Sequence, residues 1–132
     1  MRTACRLIVA SLFFAASLCA AAEGKTYPVE TTVELSGTVL TDAGYDANDK
    51  REEYYYLRLA HPITVAADEM FPQREGVVKI QLVFMVDMDA RPFYGKKVSL
   101  RGKLFHGHSA HHHTDVLVTI DKAGDISLLP KK

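Results

Sequence analysis

Between Lys96 and Phe105 the chain repeats with a period of two: Val98, Leu100 and Leu104 fall on one side of an extended backbone, and Ser99, Arg101 and Lys103 on the other. A segment patterned in this way satisfies its backbone only by pairing with other strands. Its apolar face needs a core to cover. The remaining chain therefore has to supply partner strands, and four further stretches have the composition for it. Val29 to Leu40 is rich in β-branched and apolar residues, with Gly37 as a bend or bulge. Tyr54 to Leu59 resumes strand character, is interrupted at Pro62, and continues through Ile63-Thr64-Val65. Val77 to Phe84 sets Lys79 and Gln81 against Val78, Ile80 and Leu82, and Val116, Val118 and Ile120 alternate with Leu117, Thr119 and Asp121. Residues 42–53, with Asp42, Asp46, Asp49, Glu52 and Glu53, read as a solvated acidic loop. Asp87 to Tyr94, containing Pro92, reads as a short helical turn.

Five strands in this order predict an all-β fold, most simply a small five-stranded Greek-key barrel of the OB type. A small β-sandwich uses the same strands and remains the alternative, because alternation alone does not establish closure. No internal repeat is visible.

The start of the chain has the three parts of a cleavable export signal: Arg2 and Arg6, an apolar run from Leu7 to Leu18, and small residues at 20–22. The run is about a dozen residues, against roughly 20 for a membrane-spanning helix. The expectation is a signal peptide over residues 1–22 and one all-β domain over 23–132, with no stable membrane insertion after cleavage. Cys5 and Cys19 leave with the signal, so no disulfide is expected in the exported part. With Arg2 and Arg6 gone, the 16 basic residues become 14 against 16 acidic ones, which gives no basis for nucleic-acid binding.

Five of the six histidines, His106, His108, His111, His112 and His113, lie between the last two predicted strands. Neutral imidazole ligates zinc and copper well, and a short histidine-rich tract is a sequence signal for a metal site. All five are candidate ligands, with Asp46, Asp49, Glu52 and Asp115 as carboxylate ligands or partners that orient an imidazole. The same residues also suit a satisfied hydrogen-bond network at a hairpin end. Parity ranks them. The apolar positions of both flanking strands are even-numbered, so paired residues sum to an even number and the connecting loop has odd length. A loop of His108-Ser109-Ala110 pairs His106 with His112 and turns both inward; His111 and His113 then point outward with Asp115. His61, before Pro62, reads as structural.

No catalytic set is legible. There is no cysteine nucleophile in the exported part, no serine in a nucleophile elbow, no phosphate-binding glycine loop and no HExxH pair. A non-enzymatic role is expected. The segment Gly95-Lys96-Lys97-Val98-Ser99-Leu100-Arg101-Gly102-Lys103-Leu104-Phe105, with His111-His112-His113-Thr114 after it, resembles a family of bacterial exported proteins that carries only a domain-of-unknown-function label. Tyr55 to Leu59 and Pro62-Ile63 are also similar to it. The resemblance implies a periplasmic or secreted bacterial protein and singles out the histidine hairpin as the site. The resulting expectation is a periplasmic small-ligand or metal-binding module. A protein-interaction module of the inhibitor or immunity type, acting on a cell-envelope enzyme, is the alternative.

Overall fold

The computed structural model describes residues 25–130; the expected signal peptide and both cysteines lie outside the described residues. Seven strands follow one another: β1 (Thr26–Tyr27), β2 (Thr32–Tyr45), β3 (Arg51–Val65), β4 (Arg74–Phe84), β5 (Lys97–His106), β6 (Val116–Ile120) and β7 (Ile126–Leu128). The turn expected near Pro92 is a single 3-10 turn, Arg91–Phe93.

Five of these strands close on themselves. β2 pairs antiparallel with β3 and β5, β3 with β4, and β5 with β6; β4 and β6 complete the ring in parallel. The strands thus form one closed sheet rather than the two facing sheets of the sandwich alternative. β1 adds to β3 and β7 to β5; neither was expected from the sequence, because two- and three-residue strands carry no period.

The interior is built from the predicted faces. On β5, Val98, Leu100, Gly102, Leu104 and His106 are all buried, so the even parity holds along the whole strand. Leu57, Ile80, Leu100, Leu104, Val118 and Ile120 are fully buried within one cluster. β2 serves two neighbours: its first half pairs with β5 and its second with β3, and Thr38 is shared. The change falls at Gly37, where a Cβ would lie 2.4 Å from the Arg58 carbonyl oxygen. A side chain there would prevent the strands from crossing so closely.

The acidic stretch departs from expectation. Residues 42–45 and 51–53 are paired strand, and only a tight turn separates them. Within it Asp46 Oδ1 accepts the Asn48 and Lys50 amide hydrogens, and Asp49 adopts a φ of 60°. This is a short hairpin loop closing on a left-handed residue. A solvated loop and an exposed two-stranded ribbon have the same charged composition; Asp42 and Glu52 sit on the ribbon and find partners across it, Asp42 with Lys79. Pro62 likewise does not end β3. The strand runs through it with register shifts between Arg58 and Val65, which absorb the missing amide.

Candidate functional site

The register of β5 and β6 decides where the histidines go. Leu104 faces Val118 and His106 faces Val116, so the loop runs from Gly107 to Asp115. Its length is odd, as parity required. It is nevertheless longer than the expected three residues, and His106 pairs with Val116, not with His112. The alternation that would have carried His108 and His112 onto a strand stops because Gly107 donates its amide to the Asp115 carbonyl and closes the ladder there.

His106 therefore stands apart from the other four. It is buried (2 % exposed), its Nε2–H donates to the Ala66 carbonyl at 2.8 Å, and its ring stacks on Phe71. The inward orientation matches expectation; the company is a core, not a metal-binding mouth. His108 is exposed and its Nδ1–H donates to the His106 carbonyl. His112 turns its Nδ1 back onto the loop, accepting the amides of His108 (3.0 Å) and Ser109 (3.2 Å), which leaves its proton on Nε2. Burial, reinforced by the neighbouring histidines, pushes the His112 pKa down, so this cap stays neutral.

The remaining two histidines meet a carboxylate. His113 Nε2 lies 2.7 Å from Glu52 Oε1, and His111 Nδ1 lies 2.9 and 3.0 Å from the two Glu52 oxygens. His113 does not point outward: its side chain is only 9 % exposed, against 70 % for His111. The ring stacks on Tyr54 with centroids 4.9 Å apart and covers Gly44, where a Cβ would come within 2.2 Å of Nδ1. Gly44 thus gives up a side chain so that an imidazole can lie flat across the β2–β3 ribbon. The hydrogen bond from His111, then that from His113, holds the Glu52 carboxyl below the usual carboxylate range.

Gln81 holds this arrangement in place, and sequence reasoning missed it. Its Nε2 donates to the His111 carbonyl at 3.0 Å and its Oε1 accepts the His113 amide at 2.7 Å, so the side chain pairs with the loop as a strand would. The Thr114 hydroxyl accepts the Gln81 amide and donates to the Val116 carbonyl. A buried amide inside an apolar strand was the available signal. Its partners could not be named without the fold.

Of the expected carboxylates, only Glu52 reaches a histidine. Asp46 is spent within its own turn, Asp49 shapes that turn, and Asp115 is exposed beside Gly107. Asp68, not singled out earlier, lies near His106 and His108 and accepts the amides of Met70 and Phe71, which lower its pKa. Among the described residues, no group of three or more His, Cys, Asp or Glu side chains is placed, as the side chains stand, so that it could hold a metal ion. Nor is any helix among them long and apolar enough to cross a membrane.

Residues 79–124 match the model of a family described as a domain of unknown function (DUF4431). The matched span takes in Gln81, β5, the whole histidine loop and β6, and leaves out Glu52 and Gly44. No curated protein matches the chain.

Proposed function

We propose that the protein is an exported, periplasmic binding module of the OB type that takes a divalent transition metal, zinc or copper, at Glu52, His111 and His113. The OB reading is supported by the order of pairing around the closed ring and by its single parallel contact, β4 with β6. In such folds the loop joining the first two ring strands and the loop joining the last two flank the ligand face. Here Glu52, beside the first, and His111 and His113, in the second, are brought into contact.

The observation that carries the metal reading is the Glu52 carboxylate gripped by two imidazole nitrogens at 2.7 to 3.0 Å. Two imidazoles and one carboxylate, with water in the fourth position, form an established zinc donor set. Ligand bonds of about 2.0–2.2 Å in a tetrahedron separate the donor atoms by roughly 3.4 Å. A cation entering this cluster replaces two shared protons and spreads the donors by about half an ångström, which the exposed His111 can supply. His106 and His112 lie outside this set because neither meets Glu52, His106 being buried against Phe71 and His112 turned back onto its own loop, and the module needs no catalytic group of its own.

The test is the thermal midpoint of metal-free protein with stoichiometric zinc or copper. A native-state ligand at 100 times its Kd adds about 2.7 kcal/mol. The midpoint should rise for the wild type, weakly or not at all for Glu52→Gln and His113→Ala, and less as pH falls because metal and protons compete. A wild-type midpoint indifferent to metal overturns the reading in favour of the protein-interaction module.

A further inference from the structure

Arg74 opens β4 opposite Val65, and its guanidinium makes no ion pair among the described residues. Its Nε is closed off from solvent and has no acceptor. Buried donors are almost always satisfied, and a guanidinium N–H is among the costlier ones to leave alone. Arg74 as a whole is only partly buried and lines a surface concavity, so an acceptor from outside the chain can meet the same guanidinium there.

The surroundings fit such an acceptor. Arg74 lines a concavity of about 450 Å³ with His108, Ser109, His112, His113, Thr114 and Asp115; neither Glu52 nor His111 borders it. The Thr114 hydroxyl is already committed to Gln81 and Val116. The Ser109 hydroxyl has no partner among the described residues, and His112, capping the loop through Nδ1, keeps Nε2–H as a donor. A guanidinium fork matches the paired oxygens of a phosphate or carboxylate, and neutral donors beside it complete such a site. Asp115 is the one acid on the rim. Its charge opposes an anion, so it sets the affinity low without blocking the fork.

From this geometry we infer that the concavity between Arg74 and the histidine loop is an oxyanion site, taking the phosphate or carboxylate group of a small organic molecule. Its size is that of a small-molecule pocket and exceeds what a bare anion fills. The site adjoins the proposed metal cluster at His113, which borders both, whereas Arg74, Ser109 and Asp115 belong to the concavity alone.

The experiment is an amide and guanidinium NMR titration of chelator-treated, metal-free protein with inorganic phosphate and, separately, acetate, each against chloride at equal ionic strength. The expected result is saturable movement of the Gly107 to Ala110 amides and the Arg74 Nε–H. Saturation by phosphate alone or acetate alone assigns the group. Losing a charge-assisted hydrogen bond should weaken binding about tenfold or more in Arg74→Ala. Asp115→Asn should bind several-fold tighter and Ser109→Ala more weakly. Shifts that never saturate or that chloride reproduces overturn the site. So does unchanged binding in Arg74→Ala. Should Arg74→Ala not fold, the two exposed-site variants decide, and indifference to both Asp115→Asn and Ser109→Ala is equally fatal.

Discussion

Two stretches of the same hairpin, the ladder from Leu104 to His106 against Val116 to Val118 and the loop from Gly107 to Asp115, handle histidine in opposite ways. In the ladder the backbone fixes which way a side chain points, and His106 is buried because it continues the even face of β5. In the loop the direction of each imidazole is set by whichever partner lies within reach: backbone amides for His112, Glu52 for His111 and His113. Regular pairing makes orientation a matter of counting. A loop makes it a matter of neighbours, and for His111 and His113 these come from β2, β3 and β4, far away in the chain.

The sharpest way to break this comparison is at His106. Its replacement by alanine removes a buried ring and a hydrogen bond and leaves the Ala66 carbonyl unpaired, which should cost about 3 kcal/mol in chemical denaturation. A cost no larger than that of an exposed loop histidine would show that burial at the ladder end has no energetic meaning. Gly44→Ala comes next. Its Cβ collides with the His113 ring, so the ring must leave Tyr54 or the ribbon must shift, for about 1–3 kcal/mol. Retention of the His113 to Glu52 contact in that variant, read from ring proton shifts, would contradict the packing described.

Within the loop, His113→Ala should destabilise by about 1–2 kcal/mol, because it empties the space over Gly44 and removes one Glu52 partner. His111→Ala, at an exposed side chain, should stay within about 0.5 kcal/mol. A reversed order would return the site to the outward-facing arrangement that parity had suggested for His113. The smallest effect is electrostatic. Glu52 titrates lower in the folded chain than its ordinary value of 4.5, so it contributes stability that is present above about pH 4.5 and lost as pH falls through its folded value. Glu52→Gln should therefore be slightly less stable than the wild type at neutral pH, with a shallower acid limb, and the two proteins should converge at low pH. An identical acid limb in both proteins would mean that the two imidazoles do not perturb the carboxylate.

The strand positions were legible because each face of a half-buried strand repeats every second residue. The Lys97–His106 strand, the β6 strand and their shared even face follow from that alone. The acidic ribbon was misjudged for the converse reason: on a solvent-facing ribbon both faces are polar, so residues 42–45 and 51–53 carry no period to read. Glu52 was named as a carboxylate that could orient an imidazole, and it does so by contact with His111 and His113. Asp46, Asp49 and Asp115 had equal standing in composition and are separated only by turn geometry and register.

By itself, the amino-acid sequence determined that this part of the chain is built of strands, which faces of them are apolar, that the histidine loop has odd length, and that His106 faces inward. These are local consequences of backbone pleating and need no knowledge of distant contacts. Tertiary structure alone decided that the strands close into a ring, that Gln81 pairs with the loop, and that His113 lies flat over Gly44 against Glu52. Each joins residues thirty or more positions apart, and a contact of that separation is set by the register of intervening strands, which no single segment encodes.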